Sequence, residues 1–198
     1  MAEKNPTVRA RILVAAVTCI ERAGLEATGI REIAREAGVN SAAINYYFGS
    51  KERLIALALE STLDQAFGEV LTDFDTQRAS GLEVLPALAK VLEDYLVHST
   101  RYPRIAHAHL HDALVKQSYE GPAVKRLNAF LEELTLRVAP AAPHLSAEEL
   151  RITLAQLWAP LLTLGMLPGL FSAFLPLDFT QEADRRAWVQ RLLKGLER

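Results

Sequence analysis

The stretch from Thr28 to Lys51 constrains this chain more than any other. Ile30, Ile33, Ala34 and Ala37 recur at three- and four-residue spacing, Gly38 follows, Asn40 comes two residues later, and Ile44 and Phe48 stand one turn apart. Apolar residues at that spacing share one face of a helix. Glycine tolerates the positive φ of a tight turn, and threonine and asparagine are strong N-caps. The pattern predicts a short helix capped by Thr28, a turn at Gly38-Val39-Asn40, and a second short helix over Ser41 to Phe48. Ile44 and Phe48 then face inward, while Ser41, Ala42, Ala43 and Asn45 lie elsewhere on its surface.

The segments on either side also read as helix. The first should run from Pro6 to Ala23, with Ile12, Ala16, Cys19 and Ala23 on one face and Gly24 beyond its end. Ser50 is placed to cap a long helix from Lys51 to about Phe74. Further helices are expected near Leu82 to Thr100, Pro103 to Ser118 and Ala123 to Val138, with Gly81, Tyr102-Pro103 and Gly121-Pro122 as breakers. Ser146-Ala-Glu-Glu149 has capping-box spacing and predicts a helix running past Trp158, with Pro160 inside it. Thr180 is expected to cap a last helix ending near Leu196. Alternating strand patterns and Asn-Gly or Asp-Gly hairpin signals are absent, so the fold class is all-α. The expected division is a three-helix helix-turn-helix domain over residues 1–52 and a larger helical domain over residues 53–198.

Composition narrows the function classes. Half of the 198 residues are apolar and 23% are charged, which supports a buried core rather than disorder. The single cysteine, Cys19, excludes an intrachain disulfide and reads as a small core residue. The N-terminus is polar, and no apolar run reaches the ~20 residues that a bilayer requires, so the expected location is the cytoplasm and no membrane partner is expected. The net charge of −2 alone speaks against a nucleic-acid binder, yet residues 1–53 hold eight basic against six acidic side chains, and the remainder fourteen against eighteen. That asymmetry is modest, so the motif carries the argument.

A short helix, a glycine turn and a second short helix with a small polar outer face suit entry into a DNA major groove. Ala42 and Ala43 permit close approach to base edges and the thymine methyl, Asn45 offers a donor and an acceptor to adenine, and Ser41 can also read a base. Tyr46 and Tyr47 present hydroxyls. Lys51 sits at a helix N-terminus, where free N–H groups and the dipole favour a phosphate. Thr28 and Arg31 complete the expected DNA-binding set.

These residues carry a specific resemblance. The stretch RILVAAVTCIERAGLEATGIREIAREAGVNSAAINYYFGSKERL is similar to the N-terminal DNA-binding region of TetR-family transcriptional regulators, over about residues 9 to 54. The matching elements are Ile-Leu-x-Ala-Ala at the start of the first helix, Gly24, Thr28, Ile-Ala-x-x-Ala-Gly-Val ending at Val39, and Tyr-Tyr-Phe-Gly-Ser-Lys ending at Lys51. Ile20, Leu25 and Asn45 depart from the common pattern, and because Asn45 lies in the reading helix the operator sequence does not carry over. The resemblance implies a homodimer packed through its C-terminal helices. It also implies double-stranded operator DNA as partner, and a small-molecule effector pocket whose occupancy changes the spacing of the two reading helices. The expected function is a ligand-responsive repressor released from a palindromic operator.

Two other readings compete. His107 and His111 are one turn apart with Asp112 adjacent, His109 lies between them and His98 is upstream, which suggests a metal-assisted hydrolytic centre. No cysteine or second histidine pair completes a closed site, and no nucleophile and base are recognisable. No catalytic residue, metal or cofactor is therefore expected. An architectural DNA binder without effector is the other rival, and an enclosed cavity in residues 80–198 would count against it. Tyr95, His111, Trp158 and Met166 are the candidate pocket residues. Leu154, Leu157, Leu161 and Leu164, with the segment from Trp188 to Leu196, are the candidate dimer surface, unless the same stripe packs within the chain.

Overall fold

The hydroxyl oxygen of Thr7 accepts the N–H of Ala10 at 3.2 Å and starts the first helix. In the computed structural model, which describes residues 7–197, that helix is α1 (Val8–Ala23). Pro6, expected inside its first turn, lies outside the described residues. Ile12, Ala16 and Cys19 form the buried stripe as expected, joined by Ala15 and Ile20. Ala23 is exposed instead, because it stands where the chain leaves the helix at Gly24.

Helices α2 (Ile30–Ala37) and α3 (Ser41–Phe48) follow the spacing that predicted them. Gly38 takes the left-handed conformation at φ 66° and ψ 40°. Its N–H donates to the carbonyl of Arg35, and that of Val39 to Ala34, which together satisfy the end of α2 in a Schellman motif. Thr28 is not the cap of α2. Gly29 occupies that position, and the buried Thr28 hydroxyl donates to the Gly24 carbonyl at 2.8 Å, tying the connecting loop closed. Asn40 does cap α3, its Oδ1 accepting the N–H of Ala43 at 2.8 Å. Arg22 of α1 pairs with both Glu32 and Glu36 of α2 at 2.8 Å.

Ser50 caps α4 (Lys51–Ala79), which runs past the expected Phe74 because no breaker intervenes before Gly81. Leu54 and Ala58 join the core of the first three helices, while Phe67, Val70, Leu71 and Phe74 belong to a second, larger core. Around that second core stand α5 (Val84–Ser99), α8 (Pro122–Val138), α9 (Ala147–Met166) and α10 (Glu182–Leu193). A 3-10 turn over Ala139–Ala141 follows α8. Ser146 and Glu149 form the expected capping box, with bonds of 3.2 and 2.8 Å.

Three further expectations are corrected. The single helix from Pro103 is two, α6 (Pro103–His109) and α7 (His111–Lys116), because Leu110 at φ −98° and ψ 9° departs from helical geometry. Thr180 does not cap α10. Its hydroxyl donates to Asp178 at 2.7 Å, and Gln181 takes the cap position. Leu154, Leu157, Leu161 and Leu164 are buried in the chain's own core, as are Val189, Leu193 and Leu196, so this stripe is not an outer surface. No strand occurs among the described residues, and no helix is long and apolar enough to cross a membrane.

The two cores meet through a small cluster. Ile20 of α1, Ile55 of α4, and Ile105 and Ala108 of α6 pack together, so α6 touches the first helices and the body at once.

Candidate functional site

The outer face of α3 is built by what it hides. Ile44 and Phe48 are fully buried, which turns Ala42, Asn45, Tyr46 and Tyr47 outward and leaves Ser41 and Ala43 half-buried. Tyr46 is 83% exposed, a large apolar area to leave in water unless it contacts something. Its ring meets that of Tyr47 edge-on at 5.1 Å, which limits the freedom of both. Gly49 and Ser50 then turn the chain so that Lys51 opens α4 beside the end of α3. The guanidinium of Arg9 lies 5.4 Å from the centre of the Phe48 ring.

Most cations of the first helices are unspent. Arg9, Arg11, Arg31, Arg35, Lys51 and Arg53 form no ion pair among the described residues, while Arg22 is paired. Unpaired cations on the same helices as a small polar face offer what a phosphate backbone needs. The expected site residues thus divide. Arg31, Ser41, Ala42, Ala43, Asn45, Tyr46, Tyr47 and Lys51 are wholly or partly accessible, and the Thr28 side chain is buried behind them.

Behind the α3 face, α4, α5, α6, α8 and α9, with Val17 of α1, line a cavity of about 390 Å³. That size lies within the roughly 300–1,000 Å³ of small-molecule pockets. Of the four residues expected to line it, the cavity brings together Tyr95 and Met166. Trp158 instead fills the core between Tyr95 and Phe130, with ring centres 5.0 and 4.7 Å away. His111 points to the other side, within 3.3 Å of Asp112 and 3.7 Å of Glu26.

His109 lines the cavity, and the sequence reading had not assigned it there. Its Nε2 lies 3.2 Å from the hydroxyl of Thr62. That hydroxyl donates its proton to the Leu59 carbonyl at 2.9 Å, so its oxygen accepts from the imidazole N–H. Burial holds the ring neutral and its pKa down to about 4. Burial likewise pushes the Tyr95 hydroxyl up to about 12. His107 is exposed on α6, two residues and so a different helix face from His109, and the break at Leu110 puts His111 on another helix. No group of three metal-ligating side chains converges among the described residues. The signal that could have found the lining is the row Thr62, Ala66, Glu69 and Asp73, a small and polar stripe at helical spacing along α4.

The same helices connect cavity and head. The N–H of Ile105 on α6 donates to the Glu21 carboxylate on α1 at 2.9 Å, and Arg104 donates to the carbonyl of Arg22. A ligand that moves α4 or α6 therefore moves elements packed directly on α1.

Comparison with known proteins agrees with this geometry. The family model described as bacterial regulatory proteins, tetR family, matches residues 12–58. The HTH-type transcriptional regulator BetI of Vibrio atlanticus is 39% identical over 83 residues, 41% of this chain and 38% of that protein. The chain thus spans about two fifths of the length of that relative. The HTH-type transcriptional repressor KstR2 of Rhodococcus jostii is 26% identical over 182 residues, 91% of this chain and 76% of that one. Among solved structures, a TetR-family regulator of Mesorhizobium loti shares the fold at a TM-score of 0.69 and 16% identity, over 94% of this chain and 95% of that one. The multidrug binding protein EbrR, solved with malachite green, shares it at 0.63 and 19% identity, over 94% and 98%.

Proposed function

We propose that this chain, whose residues 12–58 match the tetR family of bacterial regulatory proteins, is a ligand-responsive transcriptional repressor of that family, released from a palindromic operator by a small molecule. The observation that carries the reading is the pairing of an accessible α3 face, in a head whose cations are mostly unpaired, with a cavity walled by helices that pack on α1. Residues 1–52 form the DNA-binding domain and residues 53–198 the effector and dimerisation domain. Arg31, Lys51, Tyr46 and Tyr47 hold phosphates, while Ser41, Ala42, Ala43 and Asn45 face base edges. The buried Thr28 hydroxyl secures the loop ahead of α2 rather than touching DNA itself.

The cavity takes the effector, with Tyr95 and Met166 among its contacts. The family resemblance to a multidrug binding protein solved with a ligand supports this part of the reading. The dimer forms through the outer faces of α9 and α10, where Ile152 is 51% exposed and Ala155, Ala159 and Ala187 leave a shallow surface. The protein works in the cytoplasm, where its operator is. Coupling is reciprocal: an effector that lowers operator affinity is itself bound more weakly by the DNA complex.

Selection of bound duplexes from a random pool by the full chain tests the proposal, followed by a salt titration on the winner and a scrambled control. A palindromic winner with a large preference over the control supports a dimeric sequence reader. No enrichment overturns it.

A further inference from the structure

The cavity carries a charge pattern that discriminates among ligands. Its inner wall is apolar, with Val70, Val91, Leu127 and Leu162, and the rings of Phe67 and Tyr95 also line it. Glu69 and Asp73 of α4 and Asp94 of α5 are the charged side chains of the lining, which contains no lysine or arginine. His98, Ser99 and Tyr95 of α5 and His109 of α6 are further polar groups of the lining. His109 and Tyr95 are uncharged, and the Ser99 hydroxyl oxygen is buried without a hydrogen-bond partner.

The pairing of these carboxylates is uneven. Asp64 and Asp75, on the same helix but outside the cavity, are neutralised by Arg126 at 2.9 Å and Arg137 at 3.1 Å. Asp94 meets Lys90 at 3.1 Å. Glu69 and Asp73, which do line the cavity, form no ion pair among the described residues, and Glu69 accepts only from Gln65 at 2.8 Å. They stand one turn apart, a spacing at which like charges repel. An apolar ligand bearing an anion would face two unneutralised carboxylates here, with no lysine or arginine in the lining to offset them. An organic cation would meet the same two carboxylates and the ring of Tyr95, whose face favours positive charge.

We propose that the cavity selects an organic monocation with an apolar, ring-bearing body, whose charge is held by Glu69 and Asp73 while its rings lie against Tyr95 and the apolar wall. This rests on the cavity being the effector site. Recognition of this kind is graded by charge rather than by a single hydrogen bond, so shape-matched ions of opposite sign separate it from plain hydrophobic uptake.

Tetraphenylphosphonium and tetraphenylborate present the same four phenyl rings around opposite charges. Titrated calorimetrically into the full chain, the cation should bind at least roughly tenfold more tightly than the anion. The variant Glu69→Gln with Asp73→Asn, both on exposed positions, should keep the parent thermal midpoint. It should lose about tenfold in cation affinity and gain affinity for the anion. Equal or tighter binding of the anion by the parent chain, binding of neither ion, or an unchanged cation affinity in the double variant overturns the proposal. Duplex selection without any ligand is read separately. Operator binding with the wrong charge preference sinks only this inference, whereas cation selectivity without operator binding sinks only the repressor reading.

Discussion

The Glu21 carboxylate accepts the backbone N–H of Ile105 at 2.9 Å, joining α1 to α6 across 84 positions of chain. Ile105 is the third residue of α6, in the first turn, where backbone N–H groups have no partner within the helix. Tyr102 ahead of it supplies no capping side chain, so a residue from the head performs the cap's work. The carboxylate also sits at the positive end of the helix dipole.

Glu21→Ala should therefore cost about 1 kcal/mol in urea unfolding, as loss of an N-terminal cap does. Glu21→Gln keeps an acceptor oxygen and should lose clearly less. Equal losses in the two variants would show that the hydrogen bond is not what stabilises α6.

Gly38→Ala tests the turn. At φ 66° the residue is left-handed, and an added Cβ would meet nothing within 4 Å, so the penalty is conformational alone. The expected loss is about 1 kcal/mol, with Gly38→Asn losing less because asparagine tolerates this region. Thermal midpoints of the three proteins check the order, and an alanine variant as stable as the parent would contradict it.

His109 makes stability depend on pH in a stated window. Its folded pKa is depressed to about 4 from the ordinary 6.5, so between these values the unfolded chain holds a proton that the folded chain does not. Stability from this group is complete above about pH 6.5 and is lost as pH falls through about 4. The loss should be roughly 2 to 3 kcal/mol once the partial exposure of the ring is allowed for. His109→Gln, which can still bond Thr62, should flatten that part of the profile in unfolding measured from pH 7 to 4. An unchanged slope would mean that His109 titrates normally.

What was legible in the sequence is what local chemistry decides. The stripes of α1 to α3, apart from Ala23 at the end of α1, the turn at Gly38, the cap at Asn40 and the capping box at Ser146 depend on neighbours within a few residues, and these stand as read. Thr28 misled because a threonine one position before an N-cap looks like the cap itself until its hydroxyl is seen to close the loop onto Gly24. The leucines from Leu154 to Leu164 misled for another reason. Periodicity shows that a face is buried but not whether a second chain or the same chain buries it. The cavity was half legible: Tyr95 and Met166 line it, but Trp158 and His111 do not. Its lining comes from six helices whose rotations relative to one another no single stretch encodes, and the break at Leu110 takes His111 off the helix that carries His109.

The reading face makes a prediction that separates holding DNA from reading it. Lys51 and Tyr47 stand at the junction of α3 and α4, where a phosphate would meet the opening N–H groups of α4 as well. Lys51→Ala should weaken every duplex by a similar factor and lower the salt slope by about 0.9, the share of one phosphate contact. Tyr47→Ala should also weaken all duplexes alike, with little change in slope because the lost group is neutral. Asn45 is exposed in mid-helix, so Asn45→Ala should leave the salt slope alone and cost about 1–3 kcal/mol of discrimination at one base pair of each half-site. Fluorescence anisotropy on the selected operator and on single-base variants, at several salt concentrations, measures all three. An Asn45 variant with the parent's sequence preference would move the reading role to Ser41, Ala42 and Ala43, whose smaller side chains recognise bases by shape and methyl contact.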